Sequence, residues 1–69
     1  IRWQSLVDSW QTLRIYDIYG KEITTLVDEY KSAGNHETEF SGISLPGGCY
    51  FYQLNIGATL LTRKMILIK

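Results

Sequence analysis

The stretch Thr12-Leu13-Arg14-Ile15-Tyr16-Asp17 alternates polar and apolar side chains. A period of two puts Leu13 and Ile15 on one face of an extended strand. The reading spreads outward from there. Tyr19-Gly20 punctuates, and Glu22-Ile23-Thr24-Thr25-Leu26-Val27 resumes with β-branched residues that suit a pleated surface. Asp28 to Lys31 is charged and reads as a connection, closed by Ser32-Ala33-Gly34-Asn35. His36-Glu37-Thr38-Glu39-Phe40 alternates again, with both glutamates facing water. Ser41 to Gly48 carries Gly42, Pro46 and Gly47-Gly48 and reads as a loop. Cys49-Tyr50-Phe51-Tyr52-Gln53-Leu54 is the densest aromatic strand, and Asn55-Ile56-Gly57-Ala58 turns the chain into a last strand, Thr59 to Ile68. Ile1-Arg2-Trp3-Gln4-Ser5 alternates as well and is expected to form a first, edge strand.

Six to seven short strands, with turn signals about every 8 to 12 residues, predict an all-β antiparallel sandwich. A parallel α/β sheet needs crossover helices of about a dozen residues or more. Only Thr24 to Ser32 is long enough for a helix, and Thr24, Thr25 and Val27 oppose it. Alternation assigns Leu13, Ile15, Phe40, Tyr50, Tyr52 and Leu54 to the core.

The chain has 69 residues, enough for one hydrophobic core, and 45% of them are hydrophobic. A single domain over residues 1–69 is expected. Seven basic and seven acidic residues cancel, which opposes a nucleic-acid surface or a polybasic membrane patch. Cys49 is the one cysteine, so the chain carries no disulfide framework and no four-thiolate zinc site. The longest apolar run, Met65-Ile66-Leu67-Ile68, falls far short of a spanning helix. The chain opens on Ile1 rather than Met, so it reads as a piece of a longer protein, and it opens without a secretory leader pattern.

Four blocks in order carry a resemblance. Leu13-Arg14-Ile15-Tyr16-Asp17-Ile18-Tyr19-Gly20-Lys21-Glu22-Ile23, followed by Thr25-Leu26-Val27, resembles a signature of type IX secretion C-terminal sorting domains. Ala33-Gly34 with Glu37-Thr38-Glu39-Phe40 is similar to that family's second block. Leu45-Pro46-Gly47-Gly48-Cys49-Tyr50-Phe51-Tyr52-Gln53-Leu54 is similar to its third, and Thr62-Arg63-Lys64-Met65-Ile66-Leu67-Ile68-Lys69 to its closing block. The residues that carry the likeness are Tyr16, Asp17, Gly20, Glu22, Gly34, Phe40, Gly48, Tyr50, Tyr52 and Lys64. Departures are His36 at a usually aromatic position, Cys49 at a usual valine and Leu61 at a usually polar one. The family's usual upstream Tyr-Pro-Asn-Pro run is not in the chain.

The resemblance implies an immunoglobulin-like sandwich, related to the Ig-like domain of the flagellar hook-capping protein. It implies an address rather than chemistry: a tail behind a cargo, recognised by an outer-membrane translocon and removed by a surface sortase. It implies Bacteroidota-type bacteria as the source, and no cofactor.

The residues themselves favour bland roles over catalytic ones. His36 and Cys49, on neighbouring predicted strands, are the one potential thiolate pair. Cys49 reads better as a small apolar strand residue and His36 as an amphipathic stand-in for an aromatic. Glu37 and Glu39 are too few oxygen ligands for calcium. Gly47-Gly48 reads as a turn, since no helix follows to bind an anion. Catalytic, metal and cofactor residues, and a small-molecule substrate, are therefore not expected. An accessory adhesion or carbohydrate-binding module is the alternative, with Trp10 its best exposed aromatic. The candidate recognition segment is Arg63, Lys64, Met65, Ile66, Leu67, Ile68 and Lys69, an edge strand that a partner could extend.

Overall fold

A computed structural model describes residues 1–40 and 45–68. Six strands form two antiparallel sheets in a sandwich-like arrangement, with no helix among the described residues. The strands are β1 (Arg2–Ser5), β2 (Ser9–Tyr16), β3 (Glu22–Lys31), β4 (Gly34–Glu37), β5 (Gly48–Ile56) and β6 (Thr59–Leu67). β1 pairs with β4, and the larger sheet runs β3-β2-β5-β6.

Period-two alternation does what it predicts on the central strands. Leu13 and Ile15 are fully buried, and Tyr50 and Leu54 nearly so. Directly opposite residues of an antiparallel pair share a face, so Leu13 meets Leu54 on β5 and Val27 on β3. These three and Ile56 form the core, with Ile1, Trp3, Leu26 and Tyr52 packed against it. The small sheet is fastened to this face by a polar staple. Trp3 Nε1 donates 2.8 Å to Oε1 of the fully buried Gln11.

Four expectations require correction. Asp28 to Lys31 is not a connection: β3 runs on through it, because Ser9, Trp10, Gln11 and Thr12 of β2 supply backbone partners for those four residues. Its charges find partners at the sheet edge, Lys31 Nζ with Glu29 Oε1 at 2.9 Å and Trp10 Nε1 with Asp28 Oδ1 at 2.7 Å. The strand expected at His36–Phe40 lies earlier, at Gly34–Glu37, because β1 is short and its register, Arg2↔Glu37 to Ser5↔Gly34, exhausts its partners. Phe40 is therefore beyond the strand and only half-buried, outside the core cluster. Tyr52 also faces inward but stays half-buried, since it lies beside the uncovered Arg63 at the open side of the sandwich.

The turns follow from side-chain chemistry. Between β2 and β3, Asp17 Oδ1 accepts backbone N–H groups of Tyr19 and Lys21 at 2.8 and 2.9 Å, and Gly20 takes φ 82°. That is an aspartate standing in for a backbone acceptor, followed by the residue type that tolerates positive φ. The expected turn at Asn55–Ala58 narrows to Gly57-Ala58, with β5 extending through Ile56. Gly57, at φ 56°, occupies the first turn position, the glycine-first pattern of a two-residue hairpin. Of the loop expected over Ser41 to Gly48, residues 41–44 lie outside the described residues. Tyr50 Oη donates 2.6 Å to the Pro46 carbonyl and so ties the loop's end to the core strand.

The candidate sorting-signal edge

β6 exists because β5 supplies nine consecutive backbone partners, from Gly48↔Leu67 to Ile56↔Thr59, without a register shift. Nothing pairs with its other side among the described residues. Alternation divides the strand. Leu61, Arg63, Met65 and Leu67 share the inward face with Leu54, Tyr52, Tyr50 and Gly48. Leu60, Thr62, Lys64 and Ile66 share the outward face with Asn55, Gln53, Phe51 and Cys49. Thus Arg63 and Lys64 point to opposite sides of the sheet.

Of the predicted recognition residues, Arg63 through Leu67 lie in β6, Ile68 follows it, and Lys69 lies outside the described residues. Arg63 and Lys64 are exposed and take part in none of the ion pairs among the described residues. Ile66 and Ile68 are also exposed, at 61% and 92%. The inward face of β6 is incompletely covered by the small sheet: Leu54 is 3% exposed, but its cross-strand neighbour Leu61 is 38% exposed. A cleft of about 210 Å³ opens there between β1 and β6, bounded by Ile1, Trp3, Tyr52, Leu54, Leu61 and Arg63. Sequence reasoning placed the edge but missed this cleft. The departure at Leu61 was the available signal.

Other motif residues have structural work that explains them. Asp17 and Gly20 build the β2–β3 turn. Glu22 Oε1 pairs with Arg14 Nε at 3.2 Å across β2 and β3. Gly34 and Gly48 open their strands at φ 139° and 141°, where side-chain-bearing residues are strained. Tyr50 anchors Pro46. Tyr16 lies half-buried on the outward face opposite Phe51. Lys64 pairs with Phe51 in the ladder, and its side chain is exposed and makes no ion pair among the described residues.

The remaining candidates stay apart. His36 lies in the small sheet and Cys49 in the large one, so the expectation of neighbouring strands fails and the two form no pair. His36 sits opposite Trp3, ring centroids 5.7 Å apart, and its Nε2 lies 2.8 Å from the Ser32 carbonyl. That is the aromatic role expected of it. Glu37 pairs with Arg2 at 3.2 Å, while Glu39 falls beyond the strand. Trp10 is 58% exposed, but its Nε1 is engaged by Asp28.

The chain matches the secretion system C-terminal sorting domain over residues 1–69. It belongs to that family. Neither a curated protein nor a solved structure matches it. Membership makes the chain a C-terminal sorting signal for type IX secretion, marking a cargo on its N-terminal side for export to the cell surface or the medium. No described helix is long and apolar enough to cross a membrane.

Proposed function

We propose that residues 1–69 act as one non-catalytic sorting domain whose readable part is Arg63 to Lys69. The outer-membrane translocon captures this segment by adding a strand to β6, and a surface sortase then removes the domain or uses it to attach the cargo at the surface. One observation carries the reading. Lys64 belongs to the motif that marks the family resemblance, yet beyond its ladder pairing to Phe51 its exposed side chain makes no hydrogen bond or ion pair among the described residues, on a strand whose other side is unpaired among them. A motif side chain left exposed on an edge able to accept another strand suits recognition by strand addition, where backbone bonds give affinity and alternate side chains give selectivity.

The test is a fusion. Residues 1–69 placed behind a periplasmically exported reporter, in a host with type IX machinery, should deliver it to the surface or medium. Retention of the reporter in the periplasm with a folded domain would overturn the reading. Cleavage is checked by the mass of the delivered reporter: an intact fusion at the surface would refute removal while leaving sorting in place.

A further inference from the structure

We infer that the segment captured at β6 is an acidic strand, carrying two adjacent carboxylates flanked by apolar residues. The inference rests on the sorting reading and adds the chemistry of the partner. Three features of β6 converge on it. Its backbone runs nine residues in unbroken register and ends the sheet, so a further strand meets a straight ladder. Its charged residues are basic, and Arg63 and Lys64 project to opposite faces. A strand laid alongside would therefore meet them with consecutive acidic residues, since its own neighbours also alternate. Its inward face is incompletely covered, with Leu61 and the cleft of about 210 Å³ beside it. An apolar side chain two positions from the inward carboxylate would cover Leu61 or Met65, which share that face with Arg63. One added strand thus satisfies the backbone, the charges and the uncovered face together.

A second copy of the chain is the poorer occupant. The opposite edge, β3, is acidic, but Glu22 is paired to Arg14, Glu29 to Lys31, and Asp28 accepts from Trp10. Two register irregularities, between Leu13 and Arg14 and between Ile15 and Tyr16, also break its ladder. Bulges of this kind turn an edge away from straight pairing.

The experiment uses the full chain and two capped nine-residue peptides of Val and Thr, one with Glu-Glu at its centre and one with Lys-Lys. Backbone amide shifts in the NMR spectrum should move along β6 with the acidic peptide, which should bind at least ~10-fold tighter than its basic twin. The double variant Arg63→Glu, Lys64→Glu should reverse that preference while keeping the parent's circular dichroism. Equal binding of the twins, binding of neither at millimolar concentration, or shifts centred on β3 would overturn the inference. So would peptide-free self-association of the chain that blocks β6, because the occupant would then be another copy. Export of the fusion separates this from the sorting reading. Normal export without peptide selectivity removes the acidic strand alone. Reversed peptide preference with the reporter retained in the periplasm supports the edge chemistry and overturns the sorting role.

Discussion

The larger sheet has two outer strands, and they treat the same hazard in opposite ways. β3 is bulged twice, carries both signs of charge and binds its carboxylates to Arg14, Lys31 and Trp10. β6 is straight, carries basic charge and leaves Ile66 exposed. An open strand edge is a template for pairing, and proteins blunt it with charges, bulges or cover. Here one edge is blunted and the other is protected by little more than Arg63 and Lys64. The difference teaches that two exposed edges of one sheet need not be alike: what separates them is the set of protective devices each carries.

The comparison breaks first if the core beneath it fails. Leu54 joins the two halves, facing Leu13 of β2 and Leu61 of β6. Leu54→Ala should cost about 2–5 kcal/mol, enough to unfold much of a domain this small. Thermal unfolding followed by circular dichroism measures it. Val27→Ala on the β3 side should cost less, since it removes fewer buried carbon atoms. If Leu54→Ala melted within a degree or two of the parent, the shared core would be misplaced.

Removing Lys64 to Lys69 tests the open edge itself. The deletion takes four pairings from β5, those of Gly48, Cys49, Tyr50 and Phe51. At about 0.2–1 kcal/mol for each pair, stability should fall by roughly 1–4 kcal/mol. Export of a fused reporter should cease. Undiminished export of the truncated fusion would exclude Lys64 to Lys69 as the address.

The hairpins that present the two edges sharpen the contrast at smaller cost. Gly57 turns β5 into β6 at φ 56°, and a Cβ there would meet Ser9 Cβ at an ordinary 3.6 Å. Gly57→Ala should therefore cost only the left-handed conformation, about 1–2 kcal/mol, and should raise hydrogen exchange along β6 more than along β3. Asp17→Ala removes the acceptor for two exposed backbone donors and should cost about 1 kcal/mol, most of it recovered by Asp17→Asn. The exchange increase should then fall on β3. Identical exchange patterns for the two variants would show that the edges do not open independently.

Much of this was legible in the residues. Alternation gave the strands and Leu13, Ile15, Tyr50 and Leu54 as core, because a period of two leaves one face to bury. Tyr19-Gly20 marked the first turn, and Thr59 onward marked the edge. What was not legible depended on partners distant in sequence. Asp28 to Lys31 looks like a loop until Ser9 to Thr12 is seen to pair with it. Phe40 reads as core until β1 runs out of residues opposite it. The candidate site was legible as a segment but not as a geometry: that β6 is straight, ends the sheet and leaves Leu61 beside a cleft follows from strand order, which alternation does not specify.

The smallest expected effect asks which protective device on β3 matters. Asp28 and Glu29 are exposed, and Glu29 pairs with a lysine on its own strand, so Asp28→Asn with Glu29→Gln should change stability by less than ~1 kcal/mol. Trp10 keeps an acceptor, since an asparagine carbonyl can replace the carboxylate. If charge is what blunts β3, neutralising the pair should make the chain self-associate through that edge. The bulges predict otherwise. They lie between Leu13 and Arg14 and between Ile15 and Tyr16, away from the changed residues, and they keep the ladder from matching a straight strand such as β6 of a second copy. Sedimentation velocity of the double variant should therefore show the same oligomeric state as the parent across a hundredfold range of concentration. A concentration-dependent rise in sedimentation coefficient, suppressed by Arg63→Glu with Lys64→Glu, would show that charge was the protective device and that β6 of a second copy pairs with the neutralised edge.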